Sequence, residues 1–121
     1  MKIDMLQVFE GYDSDPIAPI GDKPFNLRYA ACNSLVANPK QKPMTFEEGY
    51  RRDELAKKIF NNDRPDLLKA DLELIKESIK DLYPAPLIFV PAGKMIERAI
   101  KEAEGEAEVE KALSGEEEDA S

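Results

Sequence analysis

The sequence predicts a small, mainly helical α+β domain of three or four helices, with an N-terminal β-hairpin and a disordered acidic C-terminal tail. Three observations lead to this fold class. Residues 70–83 have the periodicity of an amphipathic helix, residues 2–9 alternate and are followed by turn formers at residues 11–16, and residues 104–121 are dominated by Glu, Ala, Gly and Ser. A chain of 121 residues fits one domain. We place that domain at residues 1–103 and the tail at residues 104–121.

The clearest helix runs through residues 70–83. Its apolar residues recur at spacings of three and four, which places them on one face: Leu72, Ile75, Ile79 and Leu82. Such a stripe must be buried against other elements. We expect it to pack against the apolar residues of the preceding helix, Leu55, Ile59 and Phe60, and to form the centre of the domain.

The N-terminal hairpin is predicted from alternation and turn chemistry. Residues 2–9 alternate, with one side formed by Ile3, Met5, Gln7 and Phe9. Residues 11–16 are dense in turn formers, and residues 17–20 are expected to form a short return strand at a sheet edge. Asp13 and Asp15 are read as turn residues, because the other positions of a calcium-binding loop are missing.

A helix capped by Asn26 is expected to run through about Val36. Its apolar face consists of small and medium residues: Leu27, Ala30, Ala31, Ser34 and Leu35. Cys32 is the only cysteine, so no disulfide within the chain is possible, which suits a reducing compartment. Because the chain has no histidine to act as a base, we expect Cys32 to be a small hydrophobic residue in or beside the core rather than a nucleophile.

The next helix begins at a capping box. Thr45 is expected to accept a hydrogen bond from the Glu48 amide, and the Glu48 side chain to reach back to the Thr45 amide. The helix should end near Phe60, before Pro65. Its predicted apolar stripe is Phe46, Tyr50, Leu55, Ile59 and Phe60. Burial in the core is the favoured interpretation of the aromatic residues, and stacking on nucleic-acid bases is the alternative.

This helix and the residues just beyond it hold the main basic cluster of the chain: Arg51, Arg52, Lys57 and Lys58 on the helix, and Arg64 after it. One interpretation is a site for phosphate or for an acidic peptide. The other, which we favour, is a solvated face, because Asp53 and Glu54 precede the two lysines by four residues and can pair with them along the helix. Arg51 and Arg52 have fewer local partners.

The segment Leu87–Val90 is the most apolar run in the chain. Pro86 prevents a continuous helix from the preceding element, and a last helix is expected to begin near Pro91. Its predicted buried face is Met95, Ile96, Ala99 and Ile100. The apolar run itself is interpreted as core, with a partner-facing surface as the alternative.

Several features of known enzymes and metal proteins are missing from the sequence. It contains no histidine, no glycine-rich phosphate loop and no cysteine cluster, so we expect no cofactor, no metal and no enzymatic activity. Of the net charge of −8, residues 104–121 carry −7, so the remaining 103 residues are nearly neutral and lack the electrostatic footprint of a duplex-DNA-binding protein. No run approaches the roughly 20 apolar residues of a membrane span, and the N-terminus lacks a signal-peptide pattern. The expected location is the cytoplasm.

Residues 45–97 resemble small proteins of tailed bacteriophage genomes. The matching residues lie in a charged helix, in the Ile-Lys helix that follows it and in an apolar segment, and they are Leu55, Ala56, Ile59, Ile75, Lys76, Pro86, Leu87 and Ile88. The resemblance implies a phage origin, and therefore the host cytoplasm. It implies no activity, and the acidic tail is not part of the pattern.

The leading functional hypothesis is a non-enzymatic interaction protein that binds a host or virion protein. The candidate partner-binding residues are Arg51, Arg52, Arg64, Leu87 and Phe89. The alternative is a nucleic-acid-linked accessory protein, in which a basic helix at about residues 45–60 makes the contact and the acidic tail competes for it. That alternative predicts binding that weakens steeply with salt. The sequence does not predict an oligomeric state.

Overall fold

The computed structural model describes the backbone of residues 1–9 and 25–119, and the side chains of residues 1–9 and 25–105. This part of the chain contains four α-helices: α1 (Leu27–Val36), α2 (Phe46–Phe60), α3 (Lys69–Leu82) and α4 (Pro86–Asp119). The mainly helical class is therefore confirmed. The predicted turn at residues 11–16 and return strand at residues 17–20 lie outside the described residues.

The prediction of an N-terminal β-hairpin is not supported, because residues 2–9 do not form a strand. The segment makes two isolated bridges, Lys2 with Asp66 and Val8 with Asn26, to two different parts of the chain. Its amides and carbonyls bond first to the α2–α3 connection, as in the 2.8 Å bond from the Met5 amide to the Asp63 carbonyl, and then to the start of α1. A turn between these two stretches redirects the backbone. The side-chain alternation is nevertheless real, since the buried residues of this segment are Ile3, Met5 and Phe9.

Helix α1 packs against both α2 and α3, and α3 packs against α4. The small-residue face predicted for α1 is buried throughout: Leu27, Ala30, Ala31, Ser34 and Leu35. Asn26 caps the helix as expected, with its side chain accepting a 2.9 Å hydrogen bond from the Tyr29 amide. Small side chains let helices approach closely, which explains how so short a helix contacts two neighbours.

Helix α2 ends where predicted, but only one of the two hydrogen bonds of the predicted capping box is formed. Thr45 Oγ1 accepts from the Glu48 amide at 3.2 Å, whereas the reciprocal bond from the Thr45 amide to Glu48 is not formed. Its buried residues are only Leu55, Ala56 and Ile59. The prediction that Phe46, Tyr50 and Phe60 join them in the core is wrong, because all three are exposed.

Helix α3 confirms the predicted amphipathic stripe. Leu72, Ile75 and Ile79 are fully buried, and Leu82 is half-buried. Ser78 is also buried on this face. At the N-terminus, the Asp71 carboxylate accepts a 3.3 Å hydrogen bond from the Leu68 amide, which supplies an acidic cap in the first turn where the helix dipole favours negative charge.

Helix α4 begins at Pro86, earlier than predicted, and contains Pro91 in its interior. Pro86 occupies the first helical position, where its missing N–H costs nothing. The Ala85 carbonyl accepts from the Ile88 and Phe89 amides at 3.0 and 3.2 Å and starts the helix. The face packed on α3 includes Ala92, Ile96, Ala99 and Ile100, all buried.

The described backbone of α4 extends through Asp119. Residues 104–121 combine low hydrophobicity and high charge, which favour disorder, with Glu, Ala and Lys, which are good helix formers. The disordered acidic tail at residues 104–121 therefore stays a prediction.

Candidate functional site

The two arginines that the sequence singled out on α2 have different environments. Arg51 is exposed and forms an ion pair with Asp71 of α3 at 3.3 Å. Arg52 is half-buried and donates to the Leu35 carbonyl at 3.5 Å and to Ser78 Oγ at 3.2 Å. Arg52 therefore connects α1, α2 and α3, and its guanidinium is directed into the protein rather than toward a partner.

The other cations of the predicted basic cluster are also engaged or separated. Lys57 pairs with Asp53 at 2.8 Å, as the four-residue spacing predicted, and the hydrogen bond from this pair raises the pKa of Lys57. Lys58 donates to the Asp66 carbonyl at 2.6 Å. Arg64 is exposed and forms no ion pair among the described residues. These contacts do not leave a single open cationic surface, so the geometry offers nothing that favours the basic-helix alternative.

The outer side of α2 instead presents a row of aromatic side chains. Phe46 is 83% exposed, Tyr50 64% and Phe60 65%. The rings of Phe46 and Tyr50 lie 6.1 Å apart at an interplanar angle of 31°, so they form one tilted pair. We call these three residues the aromatic face of α2.

Helix geometry explains why the aromatic side chains share this face. Successive residues turn by about 100°, so Phe60 returns to within about 40° of Phe46 after fourteen residues. Leu55 and Ile59 fall on the opposite side, which is the side that is buried. The helix thus has two apolar stripes about half a turn apart. Apolar periodicity alone does not separate these two stripes, whereas the division of the helix into aromatic and aliphatic residues does.

The remaining candidate residues, Leu87 and Phe89, lie in the first turn of α4. Leu87 and Val90 are exposed, and Phe89 is half-buried. The interpretation of Leu87–Val90 as core therefore holds for Ile88 and Phe89, which are partly buried and pack against the core, and not for Leu87 and Val90. Phe89 lines an open groove of about 340 Å³ between α3 and α4, and the Lys80 ammonium lies 5.8 Å from the centre of its ring.

Cys32 has the environment of a packed residue. Its Sγ donates to the Ala56 carbonyl at 3.4 Å, and the side chain is half-buried. Burial raises the pKa of the Cys32 thiol, and the nearby Arg28 guanidinium lowers it to a smaller extent. The thiol is therefore held in its protonated form, which is the unreactive one.

Among the described side chains, no group of three or more His, Cys, Asp and Glu residues is placed to hold a metal ion. Asp13 and Asp15 lie outside those residues. In the same part of the chain, none of the helices combines the length and the apolar character needed to cross a bilayer.

Comparison with models of protein families, with curated proteins and with solved structures finds no match for this chain. The resemblance of residues 45–97 to small phage proteins is not tested by these comparisons and remains a prediction.

Proposed function

We propose that this chain is a non-enzymatic protein-binding module, encoded by a phage as the sequence resemblance implies, that binds a host or virion protein through the aromatic face of α2. The proposal places it in the host cytoplasm. The observation that carries it is the exposure of Phe46, Tyr50 and Phe60 on one side of one helix. Exposed large apolar side chains grouped on a surface mark interaction sites more often than scattered ones do.

The aromatic residues are suited to be binding anchors. Aromatic side chains are enriched in protein interfaces and bury a large area with few rotatable bonds. The three residues span fourteen positions of α2, or about 21 Å along the helix axis. This length fits a mode in which a helix lays its apolar face into a groove on its partner. The ion pair of Asp53 and Lys57 lies between the anchors and leaves no uncompensated charge at the centre.

The rigid attachment of α2 supports the same role. The helix is held to the body on its opposite side by Leu55, Ala56 and Ile59, and by the Arg52 bonds to Leu35 and Ser78. A helix that is already ordered before binding does not have to lose further backbone entropy on contact. The candidate residues Arg51 and Arg64 are exposed near this helix and would belong to the polar rim of the interface. Arg52 is half-buried and would not.

The proposal is tested by affinity capture from a bacterial lysate with the wild-type chain and with the Phe46→Ala/Tyr50→Ala variant. We expect the wild type to retain a protein that survives a wash at about 1 M salt, because apolar contacts are not screened. The double variant should lose it. Leu68→Ala is the matched control, since Leu68 is exposed but lies outside the aromatic face. Equal retention by the double variant and the control would show that another surface is used.

A further inference from the structure

The exposed side of α2 has the residue spacing of a coiled-coil helix. The three aromatic residues and the ion pair between them follow one another at spacings of four, three, four and three positions, and we call them the outer row of α2: Phe46, Tyr50, Asp53, Lys57 and Phe60. All five side chains are exposed. Because each residue turns the helix by about 100°, the five lie within an arc of about 80°. An alternation of four and three is the spacing along which two helices pack side by side.

The outer row has aromatic residues toward both ends and opposite charges at its centre. The side chains of Asp53 and Lys57 are 55% and 71% exposed, and they pair along the helix at 2.8 Å. A row of this kind can match a second copy of itself. In an antiparallel pair the two ends exchange places, so aromatic residues meet aromatic residues and the acid of one helix meets the base of the other.

We propose that α2 of a second copy of this chain packs antiparallel on the outer row, about a two-fold axis at position 55. In this register, Tyr50 lies opposite Phe60 of the partner subunit, and Asp53 lies opposite Lys57 of the partner subunit. The symmetry of an isologous contact repeats both pairs. The ion pair within each helix is kept, so each ammonium group lies between two carboxylates.

The charges select this arrangement against its alternatives. A parallel pair of α2 helices would place the two Asp53 carboxylates opposite each other and the two Lys57 ammonium groups opposite each other, which is repulsive. Sliding the antiparallel helices by one heptad in one direction would place Tyr50 opposite Asp53. Sliding them in the other direction would place Lys57 opposite Phe60. A polar layer inside a helix pair fixes the register in this way, at some cost in stability, so the aromatic pairs supply the attraction.

A groove beside the outer row gives the Phe60 ring of the second copy a place to dock. Val36 and Met44 are 62% and 37% exposed, and they line an open groove of about 280 Å³ between the end of α1 and α2. Asp53 forms part of its α2 wall, and Phe60 projects from the same edge of the outer row. The two-fold axis keeps these edges of both helices on one side of the contact. Phe60 of the partner subunit therefore lies over the groove, at the level of Tyr50.

The dimer uses the face that we propose for capture of another protein, but it does not rest on that function, because only this chain takes part. The contact follows one helix for about 21 Å, which is less than most stable interfaces use. The dimer is therefore weak and exchanges readily. A captured protein that makes a larger contact would displace the second copy.

The test is the mass of the purified full-length protein at low salt, measured by sedimentation equilibrium at chain concentrations up to about 1 mM, which detects a dimer whose Kd is of the same order. We expect the mass to rise with concentration from 13.6 kDa toward twice that value. Phe60→Ala should abolish the rise, whereas Leu68→Ala, at an exposed residue outside the outer row, should not. Phe46→Ala should weaken the dimer less than Phe60→Ala, because Phe46 lies opposite residues beyond the end of the other α2.

Two charge variants test whether positions 53 and 57 meet across the contact. Asp53→Lys leaves lysine at both positions and Lys57→Asp leaves aspartate at both, so each variant alone should be monomeric through repulsion. An equimolar mixture of the two should form a heterodimer, because every lysine then faces an aspartate. Glu77→Lys and Lys101→Asp are the matched controls, since they make the same changes of charge at exposed residues outside α2 and should each dimerise like the wild type.

Far-UV circular dichroism confirms that all variants remain helical. A wild-type chain that stays monomeric at the highest concentration, a Phe60→Ala variant that dimerises like Leu68→Ala, or a mixture of the charge variants that stays monomeric would each overturn the dimer. Capture from a lysate is a separate measurement. Dimerisation of the pure protein without any captured protein would therefore count against the proposed function and leave this inference standing.

Discussion

Two adjacent arginines on α2 have different roles: the first lies at the surface, and the second forms hydrogen bonds that link the helices. Arg51 lies at the surface and pairs with Asp71, a contact that water and salt screen. Arg52 is turned by one residue, about 100°, toward the buried side. There it donates to the last turn of α1, at the Leu35 carbonyl, and to the hydroxyl of Ser78, which is only 4% exposed. The long charged side chain of Arg52 therefore links α1, α2 and α3 through hydrogen bonds.

We predict that Arg52→Ala lowers the free energy of unfolding by about 1–2 kcal/mol, because it removes charge-assisted hydrogen bonds to two groups that water reaches poorly. Arg51→Ala should change it by less than about 0.5 kcal/mol, as expected for an exposed ion pair. Urea unfolding of the two variants measures the difference. Equal effects would show that the bonds of Arg52 do not contribute to stability.

At the scale of an element, α2 combines a stable body with a weak first turn. Thr45 caps the helix and Glu47 and Glu48 favour its N-terminal dipole. Gly49 follows, and glycine costs a helix about 1 kcal/mol relative to alanine because of its backbone freedom. A Cβ built on Gly49 would meet no atom within 4 Å. Neither a close approach nor a positive φ requires glycine here.

We therefore predict that Gly49→Ala raises the free energy of unfolding by about 0.5–1 kcal/mol. Thermal unfolding followed by circular dichroism measures the gain. The substitution leaves the aromatic face intact, so capture of a partner should be unchanged. A fall in melting temperature would mean that position 49 needs glycine for a reason that its open surroundings do not show.

At the scale of the whole molecule, the connections hold the helices in place through contacts distant in sequence. The loop between α1 and α2 is fastened to the end of α3 by a 2.7 Å ion pair between Lys40 and Asp81. The hydrogen bond from Lys40 lowers the pKa of Asp81, and the charges of Lys42 and Arg52 act in the same direction. A carboxylate whose pKa is lower in the folded state contributes stability above its ordinary value of 3.8, and this contribution is lost as the pH falls through the folded pKa.

We predict that the melting temperature of the wild type falls more steeply between about pH 6 and about pH 3 than that of Asp81→Asn. Lys40→Met should also reduce the slope, but by less than Asp81→Asn, because Lys42 and Arg52 still lower the pKa of Asp81. Melting curves over this range compare the three proteins. Identical slopes would show that the Lys40–Asp81 pair does not link folding to protonation.

Much of the fold was predictable where local chemistry decides. The Asn26 cap, the Thr45 cap and the proline at position 86 predicted the starts of α1 and α2 and the end of α3 close to the observed ones, because caps and missing N–H groups act within one turn. The start of α4 was predicted too late, near Pro91 instead of Pro86. The buried faces of α1 and α3 also followed from periodicity. The N-terminal hairpin did not, since alternation reports which side chains are buried and not which backbone they pair with.

The candidate site was less predictable, because the exposure of its side chains depends on contacts between elements that are distant in sequence. The sequence singled out Arg51, Arg52, Arg64, Leu87 and Phe89, and the structure leaves exposed only Arg51, Arg64 and Leu87. The aromatic residues of α2 were assigned to the core because large apolar side chains are usually buried. Which of the two apolar stripes of α2 is buried depends on the side chains that α1 presents to it, and the sequence of α2 does not contain that information.

The sequence by itself determined the class of fold, the positions of α1, α2 and α3, the buried faces of α1 and α3 and the separation of charge toward the C-terminus. Caps, prolines and periodicity act over one or two turns, so they can be read along the chain. Only the tertiary structure decided that residues 2–9 bridge two segments, that Arg52 lies inward, and that Phe46, Tyr50 and Phe60 lie outward. The outward position of the aromatic stripe depends on α1, whose small side chains accept a narrow aliphatic stripe of α2 and leave the aromatic stripe in water.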